Sequence, residues 1–303
     1  MTFGCWCAAG NEAGRFILRG EAQFHRSLFA FMKRSQPSRS DIIFITGTDT
    51  GVGKTVLTAL LLQRLRMNGI HALAMKPFCT GPRDDVEILR AIQGDELPDR
   101  LLNPFYYPEP VAPWWAAKNR GKSVRLPSVI SRINEAKRRC QLLLVEGAGG
   151  LLSPLGSRFT ALNLIAELGC EVVVVASNRV GCINQLSLVV HALANAGVPA
   201  PHLVLMEQQS PDESAPSNQA AMRLWSPQIP IVTVPFFGTL RRGSRTPKAL
   251  SKDFSKKLLH NPAMVVELAQ FFGAMLNESR KKLTVTRCGS KSKTDSARAN
   301  ETL

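Results

Sequence analysis

Near position 50 the run Phe44-Ile45-Thr46-Gly47-Thr48-Asp49-Thr50-Gly51-Val52-Gly53-Lys54-Thr55 joins an apolar segment to an amphipathic one. Few folds accommodate that order of strand, glycine turn and helix. Glycine lets the backbone turn tightly enough for several N–H groups to face one anion, and the positive end of the next helix then begins at that anion. The run reads as a phosphate-binding loop for a nucleoside triphosphate, with Lys54 reaching the outer phosphates and the Thr55 hydroxyl ligating Mg2+. It misses the strict G-x-x-x-x-G-K-[ST] spacing by one place, because Thr48 holds the first position and Gly47 precedes it. The flanks restore the reading: Asp41 to Ile45 is a buried-strand run, and Val56 to Met67 is a helix closed by Gly69.

Downstream, apolar strands alternate with helical segments. The pattern predicts strands at His71 to Met75, Gln141 to Val145, Glu171 to Ala176, His202 to Met206 and Ile229 to Val234. Helices are predicted at Ser128 to Arg139, Ala161 to Leu168, Ile183 to Asn195 and Ala263 to Leu276. Alternation of this kind gives an α/β class, a parallel sheet flanked by helices on both faces in a single P-loop NTPase-like domain over 41–278. Ligands of such sheets gather beyond the carboxyl ends of the strands. That rule brings Gly47 to Thr55, Lys76 to Gly81, Glu146 to Gly150 and Asn178 to Asn184 around one crevice.

The chain of 303 residues carries a net charge of +15, which by itself suggests nucleic acid. Its distribution argues against that. Residues 280–303 hold +5 and residues 1–40 hold +4, so most of the excess lies in a basic tail over 279–303 and a basic N-terminal extension over 1–40. Both read as flexible, solvated segments, and nucleic acid is not the indicated partner. The extension is compatible with an organelle transit peptide over 1–31 or with a true start at Met32. Seven scattered cysteines without C-x-x-C pairs indicate neither a disulfide framework nor a zinc site, which favours a cytoplasmic, reducing setting. No apolar run is long enough to span a bilayer.

Three acidic positions are candidates for the metal: Asp49 in the loop, Asp84/Asp85, and Glu146 ahead of Gly147-Ala148-Gly149-Gly150. Magnesium takes oxygen ligands and keeps waters, so one or two carboxylates with Thr55 and the phosphates are sufficient. Lys76 ends a strand on the same sheet edge as Lys54. It is either an ordinary exposed lysine or a second cation for the transferred phosphoryl group, whose transfer depends on positioning and charge neutralisation.

Several separated segments together resemble the dethiobiotin synthase family, ATP-dependent enzymes that close the ureido ring in biotin synthesis. They are Gly47 to Thr55, Lys76-Pro77-Phe78-Cys79-Thr80-Gly81, Asp84-Asp85, Asn103-Pro104-Phe105, Val145 to Gly150, Gly181-Cys182-Ile183-Asn184 and Val234-Pro235. The resemblance implies a homodimer acting on diaminopelargonate and CO2 or bicarbonate with ATP and Mg2+. The substrate amine takes up CO2 as a carbamate, the carbamate attacks the γ-phosphate, and the second amine closes the ring with release of phosphate. It further implies Lys76, Lys54 and Thr50 as catalytic residues and Thr55, Asp85 and Glu146 as magnesium holders. Nucleotide contacts fall to Gly51, Val52, Gly53, Lys54, Thr55, Asp85, Glu146, Gly147, Ala148, Gly149, Glu207 and Pro235. Substrate contacts fall to Thr80, Gly149, Gly181, Cys182, Ile183 and Asn184, the last across the subunit boundary.

The chain departs from the family at three places, one of them the stretch Gln208 to Asn218, which does not align. Glu207 stands where an asparagine reads the adenine, and Pro113-Trp114 replaces Pro-His. The alternatives are a ParA/MinD-type regulatory ATPase, whose early signature lysine is here Asp49, and a non-catalytic relative.

Overall fold

In the computed structural model, which describes residues 41–236, the first apolar run forms β1 (Ile42–Gly47), buried along its whole length. Gly53, at φ +97°, turns the chain directly into α1 (Lys54–Met67), so Lys54 and Thr55 are its first helical residues. The sequence pattern places that start two residues later, because a lysine and a threonine carry no helical periodicity of their own. Next come β2 (Ala72–Met75), β3 (Phe78–Thr80), α2 (Asp84–Gln93), α3 (Asp99–Leu102), β4 (Phe105–Tyr107), α4 (Pro113–Asn119) and α5 (Leu126–Lys137). Then follow β5 (Leu142–Glu146), a short hairpin of β6 (Pro154–Gly156) and β7 (Phe159–Thr160), α6 (Ala161–Leu168) and β8 (Glu171–Ser177). The last described elements are α7 (Cys182–Asn195), β9 (His202–Met206), α8 (Ala215–Trp225) and β10 (Ile231–Val234).

Six strands make one parallel sheet in the order β10-β9-β8-β1-β5-β2. Alternate residues of a strand point to opposite faces, so the unbroken burial of β1, β2, β5 and β9 means that both faces of the sheet are covered. The described residues therefore form a single α/β domain of the predicted class. No helix among them is long and apolar enough to cross a membrane. The helix predicted at Ala263 to Leu276, the extension 1–40 and the tail 279–303 lie outside the described residues.

Strand and helix ends differ from the sequence reading where local chemistry intervenes. β10 starts at Ile231 rather than Ile229, because the Ile229 N–H closes a turn on the Ser226 carbonyl at 3.0 Å and Pro230 has no N–H to give. The segment between Pro77 and Pro113 holds β3, β4, α2, α3 and the start of α4, none of which the periodicity signals. These are short elements, and β3 and β4 form a separate two-stranded sheet.

Candidate active site

At the carboxyl ends of β1, β2 and β5 lies a cavity of about 690 Å3 lined by the phosphate loop, Lys76, Asp85 and Glu146. Strand register builds it. β2 and β5 pair with Met75 opposite Val145, so the next residues, Lys76 and Glu146, leave neighbouring strands at the same level. Ile45 of β1 pairs with Glu146, which sets the phosphate loop beside both. The Lys76 backbone is held from behind, its N–H donating to the Leu102 carbonyl at 2.8 Å and its carbonyl accepting from Asn103 Nδ2 at 2.8 Å.

The side chains converge on one carboxylate. Lys76 Nζ donates to Glu146 Oε1 at 2.6 Å and also to Asp85 Oδ2. Thr55 Oγ1 donates to the same Glu146 oxygen at 2.6 Å. Lys54 Nζ turns back onto the Asp49 carbonyl at 2.6 Å, closing the loop around its own ammonium. Burial lowers the Lys54 pKa to about 8, with the nearby Lys76 charge adding to the shift and Glu146 opposing it. Burial also works against the Lys76 charge, but Glu146 and Asp85 outweigh it and hold that ammonium above the ordinary lysine range.

Glu146 is fully buried, and its Oε2 has no hydrogen-bond partner among the described residues. A buried carboxylate oxygen without a partner is costly unless something else satisfies it. With Thr55 Oγ1 and the Asp85 carboxylate it forms a set of oxygen donors suited to a hard divalent cation that shares the site with phosphates.

Glycines admit the loops to this crowded place. A Cβ on Gly47 would sit 2.8 Å from Val52 Cγ2 and 3.1 Å from Lys54 Nζ, which explains the glycine one place before the strict pattern. Gly149 has φ +70°, and a Cβ there would lie 2.4 Å from Ser153 Oγ.

Of the residues singled out in the sequence, Thr50, Gly51, Gly53, Lys54, Thr55, Lys76, Thr80, Asp84, Asp85, Glu146, Ala148 and Gly149 line this cavity. Val52 is buried, and Gly147 packs so that a Cβ would meet Phe44 Cε1 at 3.1 Å. Three groups of residues are elsewhere. Gly181, Cys182, Ile183 and Asn184 open α7 after β8, on the far side of β1 from β5 and β2, so in one chain they do not join the crevice expected to hold them. Asp49 is outside the lining, and its Oδ1 accepts from the Thr50 N–H at 2.6 Å. Glu207 and Pro235 follow β9 and β10, where Asn178 Nδ2 donates to Glu207 Oε1 at 2.8 Å.

Residues given no role in the sequence reading complete the wall: Phe78, Ile88 and the turn Pro110 to Pro113 line the same cavity, and Ser153 closes the glycine turn. Their only signal is the proline spacing, which marks a turn without saying what it faces.

The family model described as an AAA domain, AAA_26, matches residues 41–241. ATP-dependent dethiobiotin synthetase BioD of Anaeromyxobacter dehalogenans (strain 2CP-C) is 36% identical over 208 residues, covering 67% of this chain and 93% of that protein. The protein of the same name from Bacillus subtilis (strain 168) is 34% identical over 181 residues, covering 58% and 78%. Among solved structures, the MinC:MinD cell division protein complex of Aquifex aeolicus is a distant likeness, 14% identical with a TM-score of 0.47, covering 77% of this chain and 95% of that one. By its match to the AAA_26 model and to these relatives, the chain belongs to the dethiobiotin synthetase family, ATP-dependent ligases of biotin biosynthesis.

Proposed function

We propose that this protein carboxylates 7,8-diaminononanoate (diaminopelargonate) with CO2 and closes the ureido ring of dethiobiotin at the expense of ATP. The observation that carries the reading is the Lys76 ammonium, buried between Glu146 and Asp85 in the same cavity as Lys54. Phosphoryl transfer asks for preplaced charge rather than covalent help, and two lysines with a carboxylate pair meet that need.

In this reading one substrate amine adds to CO2 and gives up a proton, leaving a carbamate that Thr80 and Lys76 hold in the cavity. The carbamate oxygen then displaces ADP from the γ-phosphorus, and Lys54 and Lys76 neutralise the charge on the transferred oxygens. The second amine attacks the carbamoyl carbon, expels phosphate and closes the ring. Thr50 and Gly149 line the wall along which the substrate is positioned. Thr55, Asp85 and Glu146 would hold Mg2+, which supplies charge neutralisation between the outer phosphates. The wall of Phe78, Ile88 and Pro110 to Pro113 suits an aliphatic chain and keeps water from the reacting atoms.

The working unit in this proposal is a homodimer. Asn184, near the start of α7, then meets the carboxylate of a substrate bound to the partner subunit, where a helix N-terminus favours an anion.

Incubation of the purified protein with diaminopelargonate, bicarbonate, Mg2+ and ATP tests the reading. Phosphate release that requires the diamine, matched by dethiobiotin on mass spectrometry, is the expected result. Release at the same rate without the diamine would instead indicate a nucleotide switch.

A further inference from the structure

The far end of the nucleotide site carries a chemical preference of its own. Gly53 of the phosphate loop abuts β9, since a Cβ on it would lie 3.0 Å from Met206 Cγ. The cations for a terminal phosphate sit on the other side, toward β5 and β2. A nucleotide laid along the loop therefore runs its base toward the ends of β9 and β10, where Glu207 and Pro235 follow Met206 and Val234.

Among the described residues those ends offer acceptors, and the Glu207 N–H and the Asn178 amide are already used. Glu207 donates its backbone N–H to the Val234 carbonyl at 2.9 Å, and Pro235 has none. Asn178, only 1% exposed, gives one amide N–H to Glu207 Oε1 at 2.8 Å and the other to the Ala215 carbonyl at 3.0 Å. Its Oδ1 accepts from Asn218 Nδ2 at 2.9 Å. Neither the Glu207 carboxylate nor the Ala215 carbonyl can donate, so the Asn178 amide has one allowed orientation and no donor left for a base. It acts as a bracket that fixes the Glu207 carboxylate in place.

An ionised carboxylate presents two acceptor oxygens side by side. Adenine offers one donor group, N6–H2, between ring acceptors, and cytosine also offers one, N4–H2, beside N3. Guanine alone among the common bases offers two adjacent donors, N1–H and N2–H2, on one edge. We infer that Glu207, held by Asn178 and Asn218, makes this site bind guanine nucleotides at least as tightly as adenine nucleotides, so that GTP serves beside ATP as phosphoryl donor. The inference rests on the proposed nucleotide site but not on what the phosphoryl group is transferred to.

Titration calorimetry with Mg2+ and ADP, GDP or CDP tests it on the whole chain. GDP is expected to bind as tightly as ADP or more so, and more tightly than CDP. Glu207→Gln, close in shape and able to donate, is expected to move the GDP-to-ADP affinity ratio about tenfold toward ADP, the scale of one bidentate base contact. Tighter binding of ADP than GDP by the unmodified protein overturns the inference while leaving the nucleotide site intact, and so does a ratio that Glu207→Gln leaves unchanged. Absence of binding by every nucleotide overturns both. The comparison on the unmodified protein needs no variant, so poor folding of Glu207→Gln cannot hide the answer.

Discussion

Lys76 and Glu146 leave adjacent parallel strands at the same level, and their side chains close a 2.6 Å ion pair with almost no access to solvent. Neither strand alone would bury a charge at its end. Together they make a compensated pair whose second carboxylate oxygen is still without a partner among the described residues.

Replacing Lys76 separates its chemical part from its packing part. Lys76→Met keeps the aliphatic stem and removes the charge. Diamine-dependent phosphate release is expected to fall by about 100-fold or more, the scale of losing one preplaced transition-state contact. Nucleotide affinity by calorimetry is expected to change by less than about threefold, because loop N–H groups and Lys54 still hold the phosphates. Comparable loss of both would show that Lys76 only supports the fold. Without Mg2+ the variant is also expected to be less stable to urea by about 3 kcal/mol, since Glu146 is left buried without its cation.

Gly149→Ala strains the glycine turn twice over. Its φ of +70° disfavours any side chain, and the new methyl would collide with Ser153 Oγ at 2.4 Å. Ser153 cannot simply move, because that oxygen accepts the Gly150 N–H at 3.0 Å. A stability loss of about 1–3 kcal/mol is expected, together with a fall in kcat/KM as the turn shifts against Thr50. Unchanged kinetics in a folded variant would remove the turn from the active site.

Much of the domain was legible because its signals are local. Continuous apolar runs became β2, β5, β8 and β9 within a residue and β1 within two, and glycines marked the loop and helix ends. Lys54, Thr55, Lys76 and Glu146 were readable because each sits where a strand or loop signal ends. The wall from Pro110 to Pro113 was not, since its place depends on how short elements with no clear period fold back over the sheet. The Asn178 bracket was equally silent. It joins residues 178, 207, 215 and 218, and only the order β9 beside β8 brings them within hydrogen-bond reach.

Two thiols, the buried Cys170 and the half-buried Cys140, give the fold an alkaline weakness. Burial pushes Cys140 up to about 11 and Cys170 up to about 12 from an ordinary 9.0. Below pH 9 both are neutral whether folded or unfolded, so their contribution is fully present. As pH rises from 9 toward about 11 for Cys140 and about 12 for Cys170, the unfolded chain loses these protons first, and stability falls by up to about 1.4 kcal/mol per pH unit for each thiol. Urea unfolding at pH 8 and pH 10.5 is expected to show a drop that Cys170→Ala reduces by about 2 kcal/mol. An identical drop in the variant would mean that another group controls alkaline unfolding.

The proposed dimer face can be tested at one leucine. Leu188 on α7 and Leu152 beyond the glycine turn are 63% and 61% exposed, and with Leu151, Val189 and Ala192 they line a second cavity of about 420 Å3. Thr48 and Asp49 of the phosphate loop form its other wall. Apolar side chains gathered there, a turn along α7 from Asn184, are what a second copy would cover when it delivers that asparagine. Leu188→Asp sets a charge into such an interface, where it has no partner, yet costs an isolated chain little. Sedimentation velocity is expected to show a dimer for the unmodified protein and a monomer for Leu188→Asp, with diamine-dependent turnover lost in parallel. Leu224→Asp, at an 85% exposed position on α8, is the control and is expected to change neither. A fully active monomer, or a dimer indifferent to Leu188→Asp, would place Asn184 outside the reaction and leave the substrate carboxylate to be held within one subunit.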